Sequence, residues 1–570
     1  RLAREDFLPS HPGLEVAIPK TVILGVDVYD RFMELNHFQR RTHFQMEDEA
    51  YLRQLYTHAQ LPREILPELR AAAQLLQGPI AVRSSSLLED SQNQSCAGIY
   101  ATYVVPEMDS RSERRFELLC QAIKLVYMSA VSTKARLYFS HNRSLGEEEK
   151  MAVILQEVVG RQHGAYFYPH IAGVAMSINY YPLGPQKTTD GMVAIALGLG
   201  RTVAGGGRCL RFSPKWPQIL PHLYFQERYL DSSQRQFYAL TLGQSTPQNP
   251  SALVQLDLEE AERAGVLEHL ASVWSPESGS WLDSLQYPGP RALTFNNLLR
   301  WGEIPLAATL NQLLERCQTA VGCPVELEFA IDWIPPGSAD PAHPPTLYLL
   351  QIRPMSGVAN GEMVHACGYP PEEIAISGDS LGHGIYEEVC DILYVADENL
   401  IGRQTRALAA RIAKLNQQLM REGRPYLLIG PGRWGSQDPH LGIPVQTGHI
   451  LGARLIVELP YGERFVEPSL GSHFFHELAA MRIGYLTLGS TPTLEDFEAR
   501  SGPCIEDHQT TCAQRLSPDL IDRQWLESLP ALSQEEGLYH LRLAQPLLIH
   551  LNGHCGRGVV LKPRNAAGNI

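Results

Sequence analysis

The sequence predicts an α/β protein, because short apolar runs typical of strands alternate along the chain with segments of helical spacing. The run Met151–Val159 is almost continuously apolar, as expected for a buried strand, and Cys323–Trp333 and Leu347–Pro354 also read as strands. By contrast, apolar residues form a stripe along Ser112–Tyr138, which predicts one long amphipathic helix. A chain of 570 residues has room for roughly two to four domains.

Composition is that of an ordinary globular protein, with 44% hydrophobic and 19% charged residues. The formal net charge of −14 argues against general nucleic-acid binding, because no basic excess exists to neutralise a phosphate backbone. No apolar run reaches the length of about 18 residues that a membrane helix needs, and the N-terminus lacks the apolar core of a signal peptide. The 10 cysteines include no CxxC pair, so we expect reduced thiols in the cytoplasm.

Several segments are expected to be structural only. Val16–Gly25 reads as a strand, and Val26–Leu35 has the spacing of a helix. The polar stretch Leu230–Pro290 predicts an insertion without chemistry, and it is followed by a helical segment, Asn297–Thr319. Ile401–Glu422 is a further predicted helix.

The segment Gly78–Tyr103 has the features of a polyphosphate site. The apolar run Ile80–Val82 leads directly into Arg83 and Ser84, and a polar loop then ends at Gly98. A guanidinium can form paired hydrogen bonds with phosphate oxygens, and a glycine lets backbone N–H groups approach closely. The alternative is an ordinary strand and serine-rich turn with a surface arginine.

Two further segments carry polar residues beside apolar runs. The strand Met151–Val159 ends near Gln156 and Glu157, and these could face a ligand or simply end a buried strand. The run Ala194–Gly207 reads as a strand followed by a glycine-rich loop that contains Arg201. A Gly-x-Gly pattern alone is weak, since it also occurs in tight turns.

A second group of candidate site residues lies on two predicted strands, CPVELEFAIDW and LYLLQIRP, which are separated by a Pro-rich loop. Glu326 and Glu328 are two residues apart and therefore share one face of a strand, as do Gln351 and Arg353 on the next strand. Carboxylate and amide oxygens suit a magnesium ion, and a guanidinium suits a phosphoryl group. The alternative is a salt-bridged hairpin.

These blocks resemble, in the same order, the nucleotide-binding domain of pyruvate phosphate dikinase and phosphoenolpyruvate synthase, which belongs to the ATP-grasp class. AVRSSSLLEDS…CAGIYATY is similar to the phosphate-binding segment, and VELEFAIDW…LLQIRP is similar to the family pattern IEWA…LQARP. The family also has a Gly-Gly-Lys motif whose lysine contacts ATP. We expect that lysine upstream of Arg1, because the chain begins with a run similar to the one that follows the motif.

The resemblance implies ATP and Mg²⁺ as cofactors and gives each candidate residue a role. The residues implied at the nucleotide are Arg83, Ser84, Gly98, Gln156, Glu157, Arg201 and Arg353. Those implied at the metal are Glu326, Glu328 and Gln351. The implied catalytic residues are Arg83 and Arg353, as clamps on the transferred phosphoryl group, together with a histidine described below.

In the last third of the chain, Gly378–Gly384 reads as a turn that leads to a strand, and Gly430–Ser436 is the glycine-rich loop GPGRWGS. Glycines around Arg433 are typical of an anion site, and Trp434 could stack on a planar group. A rigid turn packed by Trp434 explains the same residues. The sequence leaves both interpretations open.

Ser472 is a plausible N-cap, which would place His473 in the first turn of a helix, where backbone N–H groups stabilise a phosphoryl group. The segment resembles the family's phosphohistidine segment, which lies in a swivelling domain, and so implies His473 as phosphoryl carrier. Phe474 and Phe475 replace two alanines of the family pattern, and the preceding threonine is missing. A capped structural histidine is the alternative, and His476 is a second candidate.

We therefore expect an ATP-grasp domain over residues 1–356 with an insertion at about 230–290, a linker over 357–377, and a swivelling-like α/β domain over 378–570. The implied function is an ATP-dependent phosphotransferase that passes a phosphoryl group through histidine to an unidentified acceptor. The alternatives are a regulatory ATP-binding module without turnover, or pyruvate/phosphoenolpyruvate interconversion with a separate barrel subunit. No membrane or nucleic-acid partner is expected, and a homo-oligomer stays open.

Overall fold

The structure is a computed structural model, and the residues that it describes fall in two parts. The N-terminal part comprises residues 11–46, 48–86, 99–139, 149–179, 185–220, 229–243, 252–333 and 344–355. The C-terminal part comprises residues 369–381, 383–396, 404–436, 441–460, 474, 478, 483–488, 519–535, 537–552 and 557–563. The candidate residues Gly98, His473 and His476 and most of the predicted linker lie outside the described residues.

The elements of the N-terminal part alternate between strands and helices. Its strands are β1 (Glu15–Ala17), β2 (Thr21–Leu24), β3 (Ile80–Ser86), β4 (Thr102–Val105), β5 (Met151–Glu157), β6 (Arg161–His163), β7 (Tyr166–Tyr168), β8 (Ile171–Met176), β9 (Met192–Ala196), β10 (Leu210–Phe212), β11 (Gln236–Thr241), β12 (Leu253–Asp257), β13 (Ala271–Ser275), β14 (Ser280–Leu282), β15 (Arg291–Leu293), β16 (Val325–Asp332) and β17 (Thr346–Pro354). Its α-helices are α1 (Val26–Leu35), α2 (Arg40–Gln45), α3 (Glu49–His58), α4 (Leu66–Leu75), α5 (Glu113–Ser129), α6 (Thr133–Tyr138), α7 (Arg201–Ala204), α8 (Tyr229–Ser232), α9 (Leu258–Arg263), α10 (Asn296–Leu299) and α11 (Leu306–Val321).

The elements of the C-terminal part are mostly strands. The strands are β18 (Ile374–Leu381), β19 (His383–Val395), β20 (Tyr426–Pro431), β21 (Arg433–Trp434), β22 (Gly442–Ile443), β23 (Ala453–Leu459), β24 (Gly484–Thr487), β25 (Leu520–Ile521), β26 (Ala531–Glu535), β27 (Leu538–Asn552) and β28 (Arg557–Leu561). The α-helices are α12 (Thr405–Arg421) and α13 (Arg523–Ser528). Among the helices of both parts that the structure describes, none is long and apolar enough to cross a bilayer.

Two sheets form the centre of the N-terminal part. The larger has the strand order β1-β17-β16-β8-β9-β10, with β16 antiparallel to both of its neighbours. The smaller has the order β2-β5-β3-β4, with β3 antiparallel to β4 and β5. The segment predicted as an insertion contributes β11 and β12 to a sheet with β6 and β7, while β13 pairs with β14 and β15 in another.

Helices cover one face of the smaller sheet and fix its position. Apolar residues of α1, α3, α4 and α5 form one core with Ile80, Val82 and Leu155 of the sheet. The fully buried Arg115 of α5 donates to the carbonyl oxygens of Gly78 and Leu76, each at 2.6 Å, directly before β3 begins. Because charge-assisted hydrogen bonds are stronger than neutral ones, Arg115 anchors the start of the strand that carries Arg83.

The C-terminal part is a barrel-like sheet. It follows the order β19-β20-β23-β24-β18-β28-β27-β26, and β27 also pairs with β19, which closes the sheet on itself. The strands β19, β20, β23 and β24 are parallel, whereas β18, β27 and β28 pair antiparallel. Closure pairs the long strands β19 and β27 along most of their length, so neither is left as a free edge.

The two parts share one hydrophobic core. Val174 and Ala194, from β8 and β9 of the larger sheet, belong to the same buried cluster as Leu393, Leu428 and Ile456 of the C-terminal barrel. Each of the Val, Leu and Ile side chains among them contributes about 1.5–3 kcal/mol when it is fully removed from water. Separating the two parts would expose this cluster, so they form one packed unit.

Several predicted elements differ from those observed. The predicted helix Ser112–Tyr138 is divided into α5 and α6, because the Ser132 hydroxyl accepts a hydrogen bond from the Ala135 N–H at 3.3 Å and starts a new helix. The predicted strand Val16–Gly25 consists of β1 and β2, which belong to different sheets. The run Gly378–Gly384 was predicted as a turn, but residues 378–381 belong to β18 and residues 383–384 begin β19. The predicted helix Val26–Leu35 is confirmed as α1.

Candidate functional site

Strand β3 presents alternate side chains to two different environments. Ile80, Val82 and Ser84 are buried against the helices, whereas Ala81 and Arg83 line a cavity between the two central sheets. This alternation follows from the period of two residues in a strand. Ser84 therefore lies on the face opposite Arg83 and does not line the cavity, which leaves its predicted contact with a nucleotide without support from the geometry.

Arg83 meets residues of β16 and β17 in a compact group that we call the arginine cluster: Arg83, Glu328, Gln351 and Arg353. The Arg83 Nη2 atom lies 3.0 Å from Glu328 Oε2 and also donates to Gln351 Oε1. Arg353 donates from Nη1 to Glu328 Oε1 at 3.2 Å and from Nη2 to Gln351 Oε1 at 3.1 Å. Two guanidiniums are thus held side by side by one carboxylate and one amide oxygen.

The register of β16 and β17 produces this arrangement. Glu328 is paired with Gln351, and Glu326 is paired with Arg353. The register then shifts between Glu328 and Phe329, a β-bulge of the kind that often re-aims side chains beside functional sites. Glu326 is 3% exposed, and its Oε1 atom lies 3.8 Å from Arg353 Nη1. Its buried carboxylate therefore forms a further ion pair with a guanidinium of the arginine cluster.

Three residues of the arginine cluster, Arg83, Glu328 and Arg353, form part of the wall of a cavity of about 870 Å³, which we call the main cavity. Its wall includes Arg83, Gln156, Glu157, Arg201, Glu328 and Arg353. This volume lies within the range of about 300–1,000 Å³ that is typical of small-molecule and cofactor sites. Since guanidiniums line one wall, the cavity suits a ligand with a phosphate tail.

A protein-family model, the AMP/ATP-binding domain of pyruvate phosphate dikinase, matches residues 10–368. The chain belongs to the pyruvate phosphate dikinase family. The matched range contains β1 to β17 and therefore both sheets that border the main cavity. No curated protein shows significant similarity to the chain. The family resemblance is confirmed, and so is the α/β fold with an ATP-grasp-like domain followed by a further α/β domain.

In this dikinase-family domain, Gln156 and Glu157 occupy the end of the main cavity where β5 finishes. The Gln156 side-chain amide donates to Thr21 Oγ1 at 3.2 Å. The Glu157 Oε1 atom accepts from the Gln77 N–H at 2.6 Å and lies 3.8 Å from Lys20 Nζ. Both side chains are therefore fixed before any ligand enters.

The glycine-rich loop of the dikinase-family domain forms another part of the wall. Arg201 begins α7, and its guanidinium lies 5.5 Å from the ring centre of Tyr238. Gly198 has a φ of +86°, and a Cβ there would lie 2.7 Å from the Tyr238 carbonyl oxygen, so the turn requires glycine. This turn sets the direction in which Arg201 enters the cavity wall.

Several residues of the cavity wall could not be predicted from the sequence. Lys134, an exposed residue of α6, lines the cavity. Gln446, Thr447 and Phe474 reach the same cavity from the C-terminal part. Lys134 follows a segment of ordinary helical pattern, and no local motif marks any of these residues.

The loop GPGRWGS is a packing element, which agrees with the interpretation as a rigid turn. Arg433 is 2% exposed and donates from Nη1 to the carbonyl oxygens of Gly206 at 3.0 Å and Gly207 at 3.4 Å. Trp434 is fully buried, and its Nε1 donates to the Val457 carbonyl oxygen at 3.2 Å. The guanidinium and the indole thus bind protein groups in this structure, rather than presenting an open anion site.

The predicted metal ligands have suitable chemistry. Glu326, Glu328 and Gln351 provide the carboxylate and amide oxygens that Mg²⁺ prefers, and they lie together on the β16–β17 pair. Within the described ranges there is no group of three or more His, Cys, Asp or Glu side chains with metal-binding geometry. The donor set fits a magnesium ion that is bound together with nucleotide phosphates, since Mg²⁺ commonly uses only one or two protein carboxylates there.

Proposed function

We propose that the chain is an ATP-dependent phosphotransferase that holds ATP in the main cavity and passes a phosphoryl group through His473 to an acceptor. The observation that carries this proposal is that Arg83 and Arg353, which both line the main cavity, converge on Glu328 and Gln351. Side-by-side guanidiniums stabilise the charge that develops on a transferred phosphoryl group.

Each group has a distinct role in the proposal. Arg83 and Arg353 bind the phosphate tail and neutralise its charge, and Arg201 approaches from the glycine-rich loop. Glu328 and Gln351, supported by Glu326, would hold Mg²⁺, which supplies charge neutralisation on the phosphates when it is bound. Gln156 and Glu157, at the end of β5, would bind the adenine side; this assignment rests on the family resemblance.

Transfer to His473 is supported by its neighbour in the chain. Phe474, which directly follows His473 in the sequence, lines the main cavity in which we place ATP. In the transfer, the bond between the γ-phosphorus and its bridging oxygen breaks, a phosphorus–nitrogen bond forms to the neutral imidazole, and ADP leaves. If the imidazole attacks the β-phosphorus instead, AMP leaves and the imidazole carries a pyrophosphoryl group. Its terminal phosphate must then pass to water or to a phosphate ion before a phosphoryl group is left on the histidine, and this is the chemistry of a dikinase.

Labelling of the full-length protein tests the proposal. We expect incubation with Mg²⁺ and ATP labelled at the β or γ position to give an acid-labile, alkali-stable protein label, which His473→Ala abolishes. The position that labels the protein decides between kinase and dikinase transfer. The His476→Ala variant is the matched control and should keep its label. Unlabelled wild-type protein that still binds ATP would reject the phosphotransferase.

A nucleotide-binding regulatory module without turnover is the second candidate. It is favoured by the contacts of Arg83 and Arg353, whose guanidiniums are already engaged by Glu328 and Gln351. The same experiment separates the two functions, because a module would bind ATP without acquiring label and without releasing ADP or AMP.

A further inference from the structure

The segment that the sequence predicts as an insertion without chemistry contributes to the main cavity. In its strand β11, Phe237 and Ala239 are buried in the same hydrophobic core as β8 and β9, whereas Leu240 lines the main cavity. Because side chains alternate along a strand, Tyr238 lies on the same face as Leu240. Strand β11 therefore has one face in the core and one face toward the candidate site.

Tyr238 contacts the glycine-rich loop at two points. Its carbonyl oxygen accepts a hydrogen bond from the Leu199 N–H at 2.8 Å, shortly before α7 begins. Its ring lies under the Arg201 guanidinium, whose carbon is 5.5 Å from the ring centre. A guanidinium within about 6 Å of an aromatic ring centre is attracted to the face of that ring. Tyr238 therefore restrains both the backbone of the loop and its cationic side chain.

Arg201 differs from the other arginines of the main cavity. Arg83 and Arg353 already donate hydrogen bonds within the arginine cluster. Among the residues that the structure describes, none forms an ion pair or a hydrogen bond with the Arg201 guanidinium, and the ring of Tyr238 is its contact. A ring face attracts the cation without accepting all of its N–H donors, so these donors can bind a ligand in the cavity.

We propose that Tyr238 is a positioning residue whose ring holds the Arg201 guanidinium at the main cavity, so that Arg201 binds the phosphates of the nucleotide. This inference rests on the proposed function, because the main cavity must hold ATP for the phosphates to be within reach. A side chain that is restrained before the ligand arrives loses less conformational entropy on binding. Tyr238 therefore raises the affinity for phosphates through Arg201.

A tyrosine with a structural role only would behave differently on substitution. The hydrogen bond from Leu199 uses the backbone carbonyl group, which any residue at position 238 retains. The contact with Arg201 needs the aromatic ring. Tyr238→Leu therefore removes the contact with Arg201 and keeps the backbone contact, while Tyr238→Phe keeps both.

A double-mutant cycle tests the proposal, with binding of β,γ-imido-ATP and Mg²⁺ to the full chain measured by isothermal titration. We expect Tyr238→Leu to raise the Kd about fivefold, as for a cation–π contact of moderate strength, and Tyr238→Phe to stay within about twofold of wild type. In an Arg201→Gln background, Tyr238→Leu should have no further effect, because the ring has no cation to hold. Adenosine, which lacks phosphates, should bind equally to all variants.

Tyr287→Leu is the matched control, since Tyr287 is an exposed tyrosine of the same segment and is not among the residues that line the main cavity. Equal affinity of Tyr238→Leu and Tyr287→Leu for β,γ-imido-ATP would overturn the proposal. The same loss with and without Arg201, or weaker adenosine binding by Tyr238→Leu, would also overturn it, because either result indicates a structural role. If wild-type protein binds no β,γ-imido-ATP, the nucleotide site itself is rejected, and the positioning role with it.

Discussion

Arg433, in the C-terminal part, donates a hydrogen bond to the carbonyl oxygen of Gly206 at 3.0 Å, in the glycine-rich loop of the N-terminal part. The neighbouring Gly205 lines the main cavity. The C-terminal part therefore touches the ATP-binding domain at the loop that borders the main cavity. Together with the shared hydrophobic core, this contact makes the C-terminal part a wall of the site.

Loss of the Arg433 contact should weaken nucleotide binding. In Arg433→Met, the carbonyl groups of Gly206 and Gly207 lose their buried donor, and we expect the Kd for ADP to rise about tenfold, as for one charge-assisted hydrogen bond. Isothermal titration checks this value. Arg406→Met, at an exposed position of α12, is the control and should bind like wild type. Equal ADP affinity in the two variants would show that the contact does not position the loop.

Replacing Arg83 by lysine should slow phosphoryl transfer by about 100-fold, the usual effect of removing a donor aimed at developing charge. Lysine keeps the charge but cannot form paired contacts with both Glu328 and a phosphate oxygen. The rate of label incorporation from ATP measures the effect. Arg70→Lys is the control, since Arg70 pairs with Glu113 on the surface. A rate for Arg83→Lys within about threefold of wild type contradicts the proposed role.

Glu458 should make the protein less stable as the pH rises. Burial raises the pKa of this carboxyl to about 7, despite a hydrogen bond from Tyr485 and the nearby Arg433 and Arg211. The native state therefore keeps its proton up to a higher pH than the unfolded state, whose carboxyl has a pKa of about 4.3. Stability falls between about pH 4.5 and 7 and is constant above that range.

Glu458→Gln should remove this dependence and stabilise the protein at pH 8 by on the order of 1–3 kcal/mol, because the amide is never charged. Urea unfolding at pH 5.5 and pH 8 provides the measurement. Glu535→Gln, on the exposed strand β26, serves as the control. A Glu458→Gln variant with the same loss of stability on going to pH 8 as wild type would exclude this carboxyl as the cause.

The buried Asp391 should be a strong determinant of stability in the C-terminal barrel. Burial alone would raise the pKa of its carboxyl, but hydrogen bonds from His540, Arg542 and Arg424 outweigh burial and hold the pKa at about 2. Its stabilising effect is therefore fully present above about pH 4 and is lost as the pH falls through 2.

Asp391→Asn leaves this cluster without its central anion and should cost on the order of 3 kcal/mol at pH 7. Chemical unfolding followed by circular dichroism measures the change. In the control Asp27→Asn, an exposed pair with Arg31 is lost, and the cost should stay below about 0.5 kcal/mol. A similar small cost for Asp391→Asn would mean that the cluster contributes little net stability.

Local pattern was enough to predict much of the ATP-binding domain. Strands β16 and β17 were predicted within two residues of their observed ends, and the i, i+2 spacing of Glu326 and Glu328 predicted that both lie on one face of β16. Helix α1 also has its predicted bounds. By contrast, the break between α5 and α6 depends on one side-chain cap at Ser132, which an apolar stripe does not reveal.

The sequence by itself determined the family and the strand pair that carries most of the arginine cluster. It also determined that Arg83 directly follows the apolar residues of a strand. These features depend on residues that are close together in the chain. Only the tertiary structure decided that Ser84 faces the core, that Arg433 holds Gly206, and that Lys134 and Gln446 share a cavity wall. These relationships join residues up to hundreds of positions apart. They arise when sheets and helices pack to bury apolar surface, a process that local periodicity does not encode.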